Sequence, residues 1–254
     1  LMPMPNSVVQ AKGRPYRFVE GRTAIVCADT AQQFAAECLA GIIKCRTGVD
    51  VARAADGERG DITLALDPAL QGDEHYRIDG PRGGIAIAGS TPAALFRAVM
   101  TMDQLLLGDV LATGRDEMRP IYIDDAPRLG YRALMLDPAR HFLPVRDVKF
   151  FIDQMAKYKY NVLQLHLTDD QGWRIAIHSH PELASEQHYT QEELREIIGY
   201  AAQRHIEVVP EIDIPGHTVA ILAAYPELSC THLKDDTVKV GHTTNRMVCA
   251  ANEQ

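Results

Sequence analysis

The chain has 254 residues, of which 46% are hydrophobic and 24% charged, and its formal net charge is -8. This composition is typical of a globular chain and excludes collagen-like and disordered proteins. The 26 Lys and Arg against 34 Asp and Glu give no broad positive field, so we expect no nucleic-acid partner. No apolar run approaches the roughly 20 residues that cross a bilayer, so we expect no membrane span.

The two ends of the sequence carry no terminal signals. The first residue is Leu1 rather than Met, and residues 1–17 contain no hydrophobic signal core. Residues 250–254 contain no helix-stop or turn signal. We therefore expect the sequence to be part of a longer protein.

Residues 1–126 are predicted to form a small α+β domain. A Pro-Arg-Gly-Gly turn at residues 81–84 joins two short runs as a hairpin. Thr30 is the expected N-cap of one helix, and Pro92 fits the first turn of another. We interpret the charged residues of this domain as a solvated face rather than a site. The predicted strands cover residues 23–28, 61–66, 76–79 and 85–88, and the predicted helices cover residues 31–43 and 92–107.

Residues 127–254 follow a different pattern, after a polar, proline-bearing joint at residues 124–127. Buried-looking runs alternate with segments that carry apolar residues at helical spacing. Thr190 and Glu193 form a capping box at the start of one helix. Strand, helix, strand, helix, strand at this pitch predicts parallel βαβ units. The predicted strands cover residues 131–137, 161–167 and 206–212, and the first predicted helix covers residues 144–158.

Each of the three predicted parallel strands runs into polar residues at its carboxyl end. These segments are DPARH at residues 137–141, HLTDDQGW at 166–173 and PEIDIPGH at 210–217. In parallel α/β folds the site is built outside those strand ends, so the side chains should converge on one mouth. A ring of salt bridges that merely closes the end of the fold is the alternative.

Individual residues of these segments leave alternatives open. Arg140 offers a planar fork that suits adjacent hydroxyls or a carboxylate, and a structural pair with Asp137 competes with ligand binding. Asp169 and Asp170 alternate faces, so one can point into the site while the other braces a loop. His217 could be a metal ligand, a proton relay or a capping group.

Metal and cofactor signals are weak in the sequence. The His-Glu-x-x-His pattern is absent, so we predict neither a metal nor a cofactor. Trp173, the only Trp, could stack on a ligand or fill the rim of a barrel.

The five cysteines fall into two groups by position. Cys27, Cys38 and Cys45 lie in apolar or helical contexts and are interpreted as small buried hydrophobes. Cys230 and Cys249 flank 18 residues rich in Thr, Asp, Lys and Gly. A disulfide there would stabilise the fold by about 3 kcal/mol in an oxidising compartment, but the spacing alone leaves the pairing open.

Three blocks of residues together resemble the family 20 glycoside hydrolases, the β-N-acetylhexosaminidases. The blocks are YRALMLDPARHF at residues 131–142, KYN at 159–161 leading to HLTDDQGWR at 166–174, and PEIDIPGH at 210–217. They occur in the order of that family and cover most of residues 128–254. Residues 1–126 are similar, more weakly, to the α+β domain that precedes the barrel in the same family.

The resemblance implies a (β/α)8 TIM-type barrel that hydrolyses terminal β-linked N-acetylglucosamine or N-acetylgalactosamine with retention. In such enzymes the 2-acetamido group of the substrate attacks the anomeric carbon, and an Asp-Glu pair assists as stabiliser and general acid. Carried onto this chain, Arg140 matches the residue that grips ring hydroxyls. Asp169 and His217 match the pair that hydrogen-bonds near the general acid. Cys230 and Cys249 match a family disulfide.

The sequence departs from the family pattern in one respect. No Gly-Gly-Asp-Glu motif is present, and residues 128–254 supply about half of the roughly 250 residues of a complete barrel. Glu211 and Asp213 do not replace the pair, because the family uses its third-strand acids for architecture. We expect this segment alone to show no turnover and to self-associate through an open strand edge.

The partner predicted from the resemblance is an oligosaccharide or glycoconjugate ending in N-acetylhexosamine. The expected location is secreted or periplasmic, from the disulfide and the habit of the family. A non-catalytic sugar-binding or scaffolding protein is the main alternative, because Arg140 and Asp169 could hold a sugar without the acid. A different barrel hydrolase, with or without a metal ion, is the third interpretation.

Overall fold

The computed structural model describes residues 1–27, 32–54, 61–80, 84–229 and 247–250. The chain divides into two compact units. The first comprises Leu1–Gly130 with Ala156–Lys159, and the second comprises Tyr131–Met155 with Tyr160–Gln254. Every helix within the described ranges is too short or too polar to cross a lipid bilayer.

Among its described residues, the first unit contains a seven-stranded mixed sheet with two helices. The strand order is β1-β9-β6-β7-β5-β3-β4, and β2 pairs with β8 in a separate ribbon. Helix α2 packs against α1 and against β7. The elements are β1 Ser7–Gln10, β2 Tyr16–Arg17, β3 Ala24–Cys27, α1 Gln33–Thr47, β4 Ala52–Ala54, β5 Ile62–Leu66, β6 Tyr76–Gly80, β7 Ile85–Gly89, α2 Pro92–Thr113, β8 Glu117–Met118 and β9 Ile121–Asp125.

The strands predicted from alternating sequence are present. The hairpin of β6 and β7 is antiparallel, with Ile78 opposite Ile87 and both side chains buried. Helix α2 begins at Pro92, and the hydroxyl of Thr91 accepts a hydrogen bond from the Ala94 amide. The helix continues six residues past the predicted end at Leu107 and stops before Gly114, which adopts a left-handed conformation. Thr30 and most of the turn at residues 81–84 lie outside the described residues.

The interpretation of residues 124–127 as a polar joint was wrong at its first half. Asp124 and Asp125 end strand β9, which lies between β1 and β6. The buried Asp125 carboxylate accepts hydrogen bonds from the Tyr76 hydroxyl at 2.7 Å and from the Lys159 ammonium at 3.0 Å. The sequence alone suggests that these acidic residues are solvated. The buried partners of Asp125 are Tyr76 and Lys159, which lie 49 and 34 residues away in the chain and cannot be identified from local sequence.

The solvated-face interpretation of the charged residues in the first domain was also wrong for several of them. The Arg97 side chain is 2% exposed and pairs with Glu74 at 2.8 Å. Asp103 and Asp109 are buried on α2. They pair with Arg46 and Arg119, respectively. Each pairing satisfies a charge that would be costly to bury alone.

The second unit contains the predicted alternation of parallel strands and helices. Its sheet order is β10-β11-β14, and both neighbouring pairs are parallel. Thr190 and Glu193 form the predicted capping box of α4 with reciprocal hydrogen bonds. The elements are β10 Ala133–Leu136, α3 Val145–Lys157, β11 Val162–His166, β12 Thr168–Asp169, β13 Gly172–Trp173, α4 Gln191–Ala202, β14 Glu207–Glu211 and α5 Val219–Ala224.

The faces of the three-stranded sheet differ in polarity. On β11, Leu163 and Leu165 are fully buried, whereas Gln164 and His166 project to the opposite face because side chains alternate along a strand. The parallel register places Glu211 of β14 beside His166. The polar face therefore gathers side chains where the strands end, and the apolar face supplies the core.

Candidate active site

The segments that follow the three parallel strands are tied together by hydrogen bonds. The Ala139 amide donates to the His166 carbonyl at 3.2 Å, and the Leu167 amide donates to the Glu211 carbonyl at 3.1 Å. The Asp213 amide donates to the Thr168 hydroxyl at 2.9 Å. Because these bonds run between neighbouring strand ends, the polar segments lie side by side at the carboxyl edge of the sheet.

Asp169 lies at the centre of this edge, and its side chain is 1% exposed. Its Oδ2 atom contacts Arg140 Nη2 at 2.5 Å and His166 Nε2 at 3.0 Å. Its Oδ1 atom accepts from His217 Nδ1 at 3.1 Å and from the Asp170 amide at 2.6 Å. Burial opposes ionisation, but these donors and the Arg140 charge lower the pKa of Asp169 below its usual value.

Asp170 takes the opposite role to its neighbour, as the alternation of faces predicts. Its Oδ1 atom accepts a hydrogen bond from the Val219 amide, the first residue of α5, at 3.1 Å. The carboxylate therefore satisfies an amide that the helix itself leaves unpaired. Asp170 braces a helix, while Asp169 holds the charged side chains of the site.

Arg140 makes the structural pair with Asp137 that was one of its two sequence interpretations, and ligand binding stays a prediction. Its Nη1 atom pairs with Asp137 Oδ2 at 2.6 Å, while Nη2 pairs with Asp169. The hydrogen bond to Asp137, together with these charges, raises the pKa of Arg140 further. About half of the side chain is exposed, 48%, and a guanidinium has five N-H donors. It can therefore donate to a ligand without leaving its carboxylates.

His217 is the third predicted residue that the structure brings to Asp169. Its backbone adopts a left-handed conformation, with φ of 56°, and its side chain is 52% exposed. Because a carboxylate only accepts hydrogen bonds, Nδ1 carries a proton and donates to Asp169.

The sequence reasoning gave no separate role to His166, which contacts the Asp169 of this trio. His166 is buried between Asp169 and Glu211, with Nδ1 at 2.9 Å from Glu211 Oε1. The Gln164 amide donates to the other oxygen of Glu211. Hydrogen bonds from Gln164 and His166 lower the pKa of Glu211. The sequence places both His166 and Glu211 at the ends of predicted strands, but their pairing depends on the register of β11 against β14.

A second missed residue, Arg174, fixes the loop that carries Arg140. The buried guanidinium donates to the carbonyl of Pro138 at 3.0 Å and to that of Ala139 at 2.9 Å. Burial lowers the pKa of Arg174. A Cβ atom on Gly172 would lie 2.7 Å from Arg174 Nε, so only glycine leaves room for this arrangement.

Trp173 packs inside the second unit rather than presenting a face to a ligand. It is 7% exposed, and its Nε1 atom donates to the Ile175 carbonyl at 2.8 Å. Of its two sequence interpretations, the structure favours the filling of the barrel rim.

Two groups of side chains within the described residues have the composition of metal ligands. One comprises His166, Glu211 and Asp213, and the other comprises Asp169, Asp170 and His217, with ligand atoms within 4.8 Å of one another in each. The contacts fit an ion-pair network, since both nitrogens of His166 face carboxylates rather than a shared empty point. A metal would need a ring lone pair instead.

Cys230 lies outside the described residues, so its pairing with Cys249 stays a prediction. Ser229 and Val248, the neighbours of these cysteines, form an antiparallel bridge. The Cys249 amide donates to the Leu228 carbonyl at 2.8 Å. This pairing brings the two ends of the polar stretch together, as a disulfide between them would require.

Parallel strands that alternate with helices, with a buried acid, an arginine and two histidines at their carboxyl ends, are the arrangement found in part of a (β/α)8 barrel. The family model for the catalytic domain of glycosyl hydrolase family 20 matches residues 129–254, and the model for domain 2 of that family matches residues 1–126. The chain belongs to glycoside hydrolase family 20. Its fold is the α+β domain and part of the TIM barrel of that family.

Individual relatives agree with the family models. A β-hexosaminidase of Akkermansia muciniphila is 40% identical over 72% of this chain and 40% of its own. One of Vibrio furnissii is 37% identical over 89% of this chain and 39% of its own. A mutant Streptomyces plicatus β-hexosaminidase, solved with its product GlcNAc, matches with a TM-score of 0.89 and 38% identity over 100% of this chain and 53% of that one. The chain thus spans about half or less of the length of these relatives.

Proposed function

We propose that the protein carrying this chain is a β-N-acetylhexosaminidase, which removes terminal β-linked N-acetylglucosamine or N-acetylgalactosamine from oligosaccharides or glycoconjugates. The observation that carries the proposal is the convergence of Arg140 and His217 on buried Asp169, in a chain matched along its length by family 20 models. Several relatives of the chain bear the name β-hexosaminidase, and similar solved structures contain GlcNAc.

The proposed reaction follows the substrate-assisted scheme of the family. The acetamido oxygen of the sugar bonds to the anomeric carbon while the glycosidic bond breaks, and a general acid protonates the leaving oxygen. Water then opens the oxazolinium ion with net retention. In this scheme Arg140 donates to ring hydroxyls, and Asp169 with His217 orders the hydrogen bonds around the general acid.

We also propose that the 254 residues alone do not turn over substrate. No Gly-Gly-Asp-Glu motif occurs in them, so neither the general acid nor the acetamido-orienting Asp of the family pattern is present. Sugar binding does not require the general acid, because the exposed, charged guanidinium of Arg140 can still donate hydrogen bonds to a sugar.

The test compares two proteins. The product of the complete reading frame should release p-nitrophenol from the β-N-acetylglucosaminide, and proton NMR should detect the β-anomer of the sugar first. The 254-residue chain should bind N-acetylglucosamine, seen by saturation-transfer NMR, without release. Lack of hydrolysis by the complete product would overturn the activity, and turnover by the chain alone would overturn the assignment of missing groups.

Export to an oxidising compartment is a separate proposal, supported by the predicted disulfide. Cell fractionation with an antibody against this chain tests it. A cytoplasmic pool that retains free thiols at both positions would contradict the proposal.

A further inference from the structure

His166 is the most enclosed ionisable side chain at the carboxyl edge of the second unit, apart from Asp169. Its imidazole is 5% exposed and lies between two carboxylates of different strands. Nε2 is 3.0 Å from Asp169 Oδ2, and Nδ1 is 2.9 Å from Glu211 Oε1. The three side chains form a chain of contacts from β14 through β11 to β12.

The hydrogen-bond inventory of these groups fixes the charge of the ring. Carboxylates only accept hydrogen bonds, so each ring nitrogen of His166 must donate. A neutral imidazole carries a single N-H and would direct a lone pair at one carboxylate. The geometry is satisfied when both nitrogens carry protons and the ring is an imidazolium.

We propose that His166 is a positioning residue for the hydrolysis, held as an imidazolium between Glu211 and Asp169 so that the Asp169 carboxylate stays ionised and oriented toward Arg140 and His217. This inference rests on the proposed hexosaminidase function. His166 itself lies beneath the carboxylate and acts through it. Glu211 is the residue that keeps the second proton on the ring.

The charged groups around the ring agree with this role. Glu211 and Asp213 belong to β14 and the segment that follows it, and Asp137 follows β10. Burial lowers the pKa of His166, but hydrogen bonds to Asp169 and Glu211 and the charge of Asp137 outweigh it and raise that pKa above its ordinary value. Arg140 and His217 are the other charged or ionisable side chains that contact Asp169.

Without His166, the Asp169 carboxylate would keep the Asp170 amide and two side-chain donors, Arg140 and His217. Arg140 and His217 are each about half exposed, whereas the His166 side chain is 5% exposed and has a carboxylate at each nitrogen. His166 is therefore the most enclosed of the side-chain donors that orient Asp169.

The first experiment measures the ring directly and does not depend on hydrolysis. Long-range proton-nitrogen NMR of the labelled 254-residue chain, assigned with His166→Gln, should give a titration midpoint above the ordinary value of about 6.5. In Glu211→Gln the midpoint should fall toward that value, because an amide can donate to Nδ1. A neutral ring near pH 6.5 in the wild type, or equal midpoints in both proteins, would overturn the proposal.

The second experiment uses the product of the complete reading frame. His166→Gln should lower kcat/KM by about 10- to 100-fold, the size expected for a charge-assisted hydrogen bond. Glu211→Gln should move the alkaline limb of the kcat/KM profile to lower pH, since its ring loses a proton earlier. A merely structural role would change the melting temperature and leave that limb in place.

The matched control is His75→Gln in the first unit. His75 pairs with Asp124 at 2.9 Å and lies outside the site, so this variant should keep the wild-type profile. If the wild type does not hydrolyse the substrate, the proposed function fails. The NMR titration then still tests whether the His166 ring is an imidazolium. If the wild type hydrolyses and Glu211→Gln keeps its alkaline limb, the positioning role fails. If His166→Gln does not fold, Glu211→Gln still provides both measurements, the midpoint of the ring titration and the alkaline limb of the kcat/KM profile.

Discussion

Asp169 and Arg140 form an ion pair of 2.5 Å in which the carboxylate is buried and about half of the guanidinium side chain is exposed. The asymmetry separates two tasks. The acid is held by protein on several sides, and the arginine keeps donors for a ligand. Substitution of each partner should therefore have a different consequence.

Arg140→Lys should weaken sugar binding more than it weakens the fold. A lysine ammonium cannot bridge Asp137 and Asp169 while also donating a planar fork to two hydroxyls. We expect KM of the complete protein to rise at least about ten-fold, measured with the p-nitrophenyl substrate. Arg146→Lys is the control, because its side chain is 87% exposed and pairs with adjacent Asp147. Equal KM values for Arg140→Lys and wild type would contradict the assignment.

Asp169→Asn should destabilise the second unit by about 3 kcal/mol near pH 6, because it leaves buried donors facing a neutral amide. The pKa of Asp169 is lowered, so its contribution is present above the unfolded value of about 3.9 and is lost as the pH falls through the folded value. The pKa of His166 is raised, so its contribution is complete below about 6.5 and is lost as the pH rises through the folded value.

Thermal unfolding, followed by the fluorescence of Trp173, measures the predicted loss of stability in Asp169→Asn, because the only Trp lies in the second unit. The difference between wild type and Asp169→Asn should be largest between about pH 4 and 6.5 and shrink on both sides. Asp147→Asn, on an exposed pair, should show only a small difference. A constant difference for Asp169→Asn would contradict the ion-pair network.

Gly172→Ala should displace Arg174 and loosen the loop that carries Arg140. The added Cβ would lie 2.7 Å from Arg174 Nε, and overpacking of this kind costs roughly 1–3 kcal/mol. Gly199→Ala is the matched control. Its Cβ meets nothing within 4 Å in helix α4, so it should stabilise the fold by roughly 0.5–1 kcal/mol. Equal melting temperatures for the two variants would refute this reason for glycine.

The predicted disulfide should appear as a cross-linked peptide that joins Cys230 to Cys249 in chain folded under oxidising conditions. Cys249→Ser should then lower the free energy of unfolding by about 3 kcal/mol. Cys45→Ser is the control, because Cys45 is a free cysteine that is exposed, not buried as its sequence context predicted. Free thiols at both positions after oxidation would contradict the pairing.

The chain alone should self-associate through its three-stranded sheet. Within the described residues, β10 and β14 each pair on one side only, and such edges accept further strands. Met135→Lys places a charge on β10, where Met135 is 51% exposed, and should reduce the association. Leu111→Lys on α2, at a position 77% exposed, should not. A monodisperse monomer of the wild type by light scattering would contradict the prediction.

Particular residues show where sequence reasoning succeeded. Alternating apolar residues predicted the hairpin of β6 and β7, and the capping box at Thr190 predicted the start of α4, because both signals are local. The order of parallel strands predicted that Arg140, Asp169 and His217 would meet, since carboxyl ends of neighbouring parallel strands share one edge. These expectations needed only periodicity and topology.

The rest was decided by tertiary contacts. The carboxylates of Asp125 and Asp103 looked solvated in sequence but lie buried against cations far away in the chain. The enclosure of His166 between Asp169 and Glu211 depends on the register of β11 against β14, and the space beside Gly172 depends on where Arg174 lies. Local sequence determined which elements form and which chemical groups end each strand. The charge state and orientation of those groups depend on distances and burial that only the folded chain defines, because electrostatic interactions vary with both.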